Sequence, residues 1–132
     1  MQVHKSVLEA IIAHAQEDKP NECCGLIGCR DGVATTAYRI RNEFASPMRF
    51  RFDSRDQFDV QEKRMPQAGE EPEAMYHSHP VSPAEPSQTD INLSENWPGI
   101  VWFICSLQGD EPVVRAWSIA DNAAEELELA VV

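Results

Sequence analysis

Five residues, Tyr76-His77-Ser78-His79-Pro80, constrain this chain more than any others. They read as the end of a strand, and a proline-stiffened loop leads from them to Pro86-Ser87-Gln88-Thr89-Asp90. Side chains on a strand alternate between faces, so His77 and His79 emerge on the same side, with Cβ atoms ~7 Å apart from two rises of ~3.3 Å. At that spacing both imidazoles can converge on a single metal ion, and a carboxylate from a nearby helix start would make a third ligand. Three protein ligands leave one position of a tetrahedral zinc for water, which separates catalytic zinc from closed structural sites.

Each piece alone has an ordinary explanation. An H-x-H pair on a strand is commonly just two polar residues. Ser87-x-x-Asp90 spells a helix cap, with Ser at the N-cap and Asp at N3. Pro80, Pro83 and Pro86 would stiffen any surface loop. The conjunction carries the information, because H-x-H-P, six residues, then S-x-x-D fixes many positions at once.

The remainder of the chain bounds the setting. At 132 residues it suits one domain, residues 1–132, with a substantial core. A net charge of −11 argues against nucleic acid or an anionic membrane as partner. The longest apolar run, Ile100–Cys105, falls far short of the ~20 residues that span a bilayer. Met1-Gln2-Val3-His4-Lys5 has no hydrophobic leader, so a cytoplasmic location is expected. The four cysteines include no C-x-x-C pair and read as buried free thiols.

Along the chain, Ser6-Val7-Leu8-Glu9 suggests a capping box. Val7, Leu8, Ile11, Ile12 and Ala15 form an apolar stripe on a helix expected to run to Asp18 and stop before Pro20. His4 and His14 lack partners at ligand spacing and read as structural or exposed. Cys23–Cys29 is an expected strand, Arg30-Asp31-Gly32 a turn, and Val33–Arg39 the returning strand. Phe50–Asp53 alternates as a strand does. A helix is expected over 54–65 with Phe58, Gln61/Glu62 and Met65 inward, followed by a flexible acidic loop, 66–73. The histidine strand then runs 74–79, a short helix begins at Ser87, and strands follow at Ile100–Leu107, Val113–Ile119 and Glu126–Leu129. Helices interspersed with hairpin-linked strands indicate an α/β sandwich around a mixed, mostly antiparallel sheet.

With these residues in view, the chain resembles the JAMM (MPN+) metalloprotease family, whose signature is an upstream Glu followed by H-x-H-P-x6-S-x-x-D. Every element is present in order, and the context Pro20-Asn21-Glu22-Cys23-Cys24-Gly25-Leu26-Ile27-Gly28 is similar to that of short bacterial members. The resemblance spans nearly the whole chain and implies the MPN fold, which is cytidine-deaminase-like. It implies one zinc per chain on His77, His79 and Asp90, Glu22 as general base, and Ser87 as stabiliser of the tetrahedral intermediate. Rival zinc motifs do not fit. Nucleobase deaminases need H-x-E with P-C-x-x-C, helical proteases need H-E-x-x-H, and RadC-type proteins are expected to carry a helical N-terminal extension.

By the same resemblance, the reaction is hydrolysis of the amide bond after a C-terminal Gly-Gly. The expected partner is a ubiquitin-like or ThiS/MoaD-type sulfur-carrier protein, with release of an amine such as cysteine. A zinc amidase acting on a small molecule or a cell-wall or phage peptide stays open, as does a non-catalytic MPN-type binding module. A homo-oligomer also stays open.

Overall fold

A computed structural model describes residues 1–132. In chain order the elements are strand β1 (Gln2–Val3), helix α1 (Lys5–Asp18), and strands β2 (Cys24–Arg30) and β3 (Val33–Ile40). A helical segment follows, made of α2 (Ser54–Asp59), a π turn (Val60–Arg64) and α3 (Met65–Gln67). Then come strand β4 (Glu71–His79), helix α4 (Gln88–Leu93), and strands β5 (Val101–Ser106), β6 (Val113–Ala120), β7 (Ala123–Leu127) and β8 (Ala130–Val131). All eight strands join one mixed sheet in the order β7-β6-β5-β4-β2-β3-β1-β8. Helices cover both faces, as expected for the α/β sandwich.

The period-2 pattern sorts the core. On one face Ala74, Tyr76, Phe103 and Cys105 pack with Val7, Ile11 and Ala15 of α1. On the other, Met75 and Trp102 pack with Phe50, Phe52, Val60 and Met65. The turn between β2 and β3 has both Asp31 (φ 52°) and Gly32 (φ 79°) in the left-handed region, the two-residue hairpin connection that matches strand twist. β4 lies between β2, antiparallel to it, and β5, parallel to it. The parallel pairing requires a crossover, and residues 80–100 supply it, carrying α4.

β7 and β8 occupy opposite ends of the sheet order, yet only Glu128 and Leu129 separate them. Three residue steps span at most ~11 Å, so the sheet curls until its two outer strands nearly meet. Leu127 and Leu129 pack onto the α1 cluster, placing the closure on the α1 side.

Several expectations need correction. α1 begins at Lys5 with His4 at its N-cap and no side-chain cap bond. The Ser6–Glu9 box therefore falls inside the helix, because β1 and the bond from His4 N–H to the Ala34 carbonyl deliver the chain in helical register earlier. Phe50–Asp53 is not a strand but a single bridge, Asn42 to Phe52, because the Arg51 N–H goes to the Asn42 side chain instead of a ladder. The helical segment starts at Ser54, with Asp53 capping the Asp56 N–H, but continues to Gln67 through the π turn. A π turn rotates less per residue than an α turn, so Phe58 and Met65 part company. Phe58 is 59% exposed and Met65 fully buried.

The stretch expected as an acidic loop, 66–73, is ordered by Glu70. This buried carboxylate accepts hydrogen bonds from the hydroxyls of Thr35, Thr36 and Tyr38. A Cβ on Gly28 would stand 2.6 Å from it, so the glycine makes the room. β4 consequently begins at Glu71, three residues before the expected start. At the other end, β7 takes Ala123–Leu127, and the chain then crosses to pair Ala130–Val131 with β1.

Candidate metal centre

The centre forms where the C-terminal end of β4 meets the start of α4. His77 and His79 share the sheet face opposite α1, as their spacing predicted, and both are buried. Asp90 sits at N3 of α4 in a complete capping box: its N–H donates to Ser87 Oγ (3.1 Å) and its Oδ2 accepts from the Ser87 N–H (3.0 Å). The cap reading of Ser87-x-x-Asp90 is therefore realised, and it leaves the carboxylate placed where it could serve as a ligand. The cap holds the carboxylate against the histidines, with His77 Nε2 3.2 Å from Oδ1 and His79 Nε2 3.1 Å from Oδ2.

The two Nε2 atoms lie 3.1 Å apart. His79 Nδ1 lies 2.7 Å from the Pro83 carbonyl, to which it donates, so its Nε2 lone pair is directed at the cluster. One potential ligand atom from each of His77, His79 and Asp90 falls within 4.8 Å of the others. Two imidazole nitrogens and a carboxylate packed this closely could hold a metal ion among them, and N₂O donors in a buried, three-ligand arrangement suit zinc.

Neighbouring groups set the electrostatics. Burial opposes the charge on His79, but the Asp90 carboxylate, the Pro83 carbonyl and Glu22 together raise its pKa. Burial likewise disfavours ionised Asp90, yet the His77 and His79 rings hold it well below the usual carboxylate range. Glu22 lies just before β2, buried, and its carboxyl is coupled to both His79 and Asp90. Desolvation pushes it up to about 8, with Asp90 adding to the rise and His79 opposing it. Ser87 is exposed; because its Oγ accepts the Asp90 N–H, its own O–H remains free to donate outward.

Other residues assemble around the centre without having been legible as site residues. Phe50 stacks on the His77 ring at 4.6 Å, and Trp102 meets that ring edge-on at 5.7 Å. Phe50 also lines a surface groove of about 360 Å³ with Phe44, Phe52, Leu93 and Trp97, so the groove abuts the centre. The alternation of Phe50 and Phe52 was the available signal. His14, read as structural or exposed, is structural and buried: its Nδ1 is 2.7 Å from the Tyr76 hydroxyl, on the face away from the centre. The four cysteines are buried free thiols, and burial pushes Cys23 and Cys29 up to about 12 and Cys105 to about 11. None is poised as a thiolate. No helix is long and apolar enough to cross a membrane.

The chain is similar to known proteins in sequence and in fold. The family model described as prokaryotic homologs of the JAB domain matches residues 4–120. The chain is similar to the CysO-cysteine peptidase of Mycobacterium tuberculosis, 30% identical over 132 residues covering 98% of this chain and 90% of the relative. It is also similar to the desampylase of Haloferax volcanii, 35% identical over 108 residues covering 76% of each. Among solved structures, a protein of Desulfitobacterium hafniense superposes with a TM-score of 0.88 at 32% identity, over 99% of this chain and 92% of that one.

Proposed function

Because the chain belongs to the family of prokaryotic homologs of the JAB domain, the JAMM/MPN metalloproteases, we propose that it is a zinc-dependent peptidase. Its substrate is a small ubiquitin-like or sulfur-carrier protein, cut at the amide bond after a C-terminal Gly-Gly. The observation that carries this reading is the buried His77–His79–Asp90 cluster with a buried glutamate beside it. The names of two relatives, a CysO-cysteine peptidase and a desampylase, support the substrate class. One zinc per chain would be held by His77, His79 and Asp90, and when bound it supplies an acidified water at neutral pH and polarises the scissile carbonyl.

The chain's own residues do the rest. Glu22 accepts the proton of the attacking water and returns it to the leaving amine, a role worth ~10²–10⁴ in rate. The free Ser87 O–H donates to the oxyanion that develops on the carbonyl, and loss of one such donor typically costs ~10²–10³ in kcat. The groove lined by Phe50, whose ring stacks on His77, is where an extended tail would lie beside the centre. Two glycines at its end bring no side chains to clash with the packed rings, while backbone hydrogen bonds hold it. A cytoplasmic setting suits such a partner.

The test is incubation of the zinc-loaded protein with a bacterial sulfur-carrier protein whose Gly-Gly terminus carries cysteine in amide linkage, read by intact mass. The expected product is the carrier shortened by that one residue, ending in a free Gly-Gly carboxylate. Changing the last glycine to a bulky residue should abolish cleavage while the two proteins still bind. Equal cleavage of both carriers would move the reading to a small-molecule amidase. Binding without turnover of either would move it to a non-catalytic module.

A further inference from the structure

The hydrogen bonds that hold Glu22 all go to its backbone. It lies outside any helix or strand, between α1 and β2, so no regular ladder fixes it either. The point from which its side chain reaches is therefore set by the peptide groups on each side of it.

The peptide joining Glu22 to Cys23 is gripped from both ends by buried side chains. Its carbonyl accepts from Asn42 Nδ2 (3.1 Å), and its N–H donates to Ser78 Oγ (2.8 Å). The Glu22 N–H donates in turn to the Ser46 carbonyl (2.8 Å). Ser78 is fully buried and stands between the two histidines, and its own N–H donates to the Cys23 carbonyl (3.1 Å). It thus extends strand pairing one residue beyond the start of β2, with a hydroxyl taking the place of a backbone carbonyl. This ties the backbone of Glu22 to the very strand that carries His77 and His79.

Asn42 uses its whole hydrogen-bonding capacity. Nδ2 also donates to the Arg49 carbonyl (3.0 Å), and Oδ1 accepts from the N–H groups of Phe44 (3.1 Å) and Arg51 (3.0 Å). The loop that brings Phe50 onto His77 is thereby closed against the same peptide.

We propose that Ser78 and Asn42 are positioning residues for Glu22, fixing the peptide plane from which its side chain reaches toward the centre; this rests on Glu22 being the proton acceptor. A displacement of ~1 Å at a reacting group can cost ~10² in rate, so the effect belongs in kcat.

The experiment is a double-mutant cycle of Ser78→Ala with Glu22→Gln, assayed in single turnover on the cysteine-bearing carrier, with zinc content and Tm measured for each protein. The expected result is that Ser78→Ala keeps its zinc and lowers kcat by ~10–100-fold with KM within about twofold, and that Ser78→Thr, which keeps the hydroxyl, recovers most of the loss. In the Glu22→Gln background Ser78→Ala should cost almost nothing more, since a residue that acts through another has no effect once the other is gone. An equal loss in both backgrounds, or parent-like turnover by Ser78→Ala, overturns the proposal. Should Ser78→Ala fail to hold zinc, Asn42→Ala enters the same cycle under the same criteria. Parent-like turnover by Glu22→Gln itself is a different outcome: it removes the base assignment and the positioning proposal with it.

Discussion

One oxygen of the Asp90 carboxylate accepts the Ser87 N–H while both oxygens face histidine nitrogens. A single acid therefore anchors a helix start and is placed to complete the proposed ligand set. Purified protein should contain about one zinc per chain. His77→Ala, His79→Ala and Asp90→Ala should each lose most of it by elemental analysis, and full occupancy in all three would refute the ligand set. Glu22→Gln should retain the metal while hydrolysis falls by ~10² or more. Ser87→Ala removes a cap worth ~1 kcal/mol, so its activity should be compared with its urea midpoint. The loss in rate should exceed what the loss in stability explains.

At the scale of elements, strands and caps were legible where pattern is local, and opaque where a distant side chain intervened. The H-x-H spacing put both histidines on one face because period 2 needs no tertiary information, and the Asp31-Gly32 turn announced itself by its residue types. The path of 66–73 did not, because it depends on Glu70 finding three hydroxyls on β3. The inward set of the 54–67 segment failed for a related reason: one π turn rephases the helix, and nothing in a 3.6-residue pattern signals it. Asn42 and Ser78 were invisible as organisers, since a lone Asn and the middle residue of H-x-H carry no spacing of their own. Glu70→Ala should cost about 2–3 kcal/mol by stranding its hydroxyl partners. Urea unfolding should report a lower midpoint with an unchanged slope, and zinc content should stay near one. An unchanged midpoint would show the network to be incidental.

At the scale of the whole molecule, pH acts through the centre. In metal-free protein the raised His79 contributes stability that is present below its ordinary value of 6.5 and is lost as pH climbs through its folded value. Glu22, raised to about 8, binds its proton more tightly folded than unfolded, so stability also drains between about pH 4.5 and 8. Asp90, depressed, contributes above its ordinary 3.8 and loses that contribution as pH falls. Chelated protein should thus be most stable in mild acid, its Tm dropping by about 5 °C or more from pH 5 to 8.5. Glu22→Gln should flatten part of that slope, and a slope identical to the parent's would contradict the burial assigned to this carboxyl. Added zinc should reverse the trend, because it binds deprotonated ligands.

The near-meeting of β7 and β8 also bears on when the molecule can be finished. Gln2 and Val3 pair with Ala130 and Val131, and Leu127 and Leu129 cover the cluster around α1. These partners are separated by almost the whole stretch of chain made between them, and such long-range pairing is the slowest kind to form. On the ribosome, α1 and β1–β3 emerge first and can meet early; β4–β6 then cover their apolar side, and Leu127 and Leu129 close its margin last. A nascent chain stalled before β4 therefore displays the surface that chaperones and aggregation both act upon. β8, the last strand in this order, seals the edge offered by β1, the first.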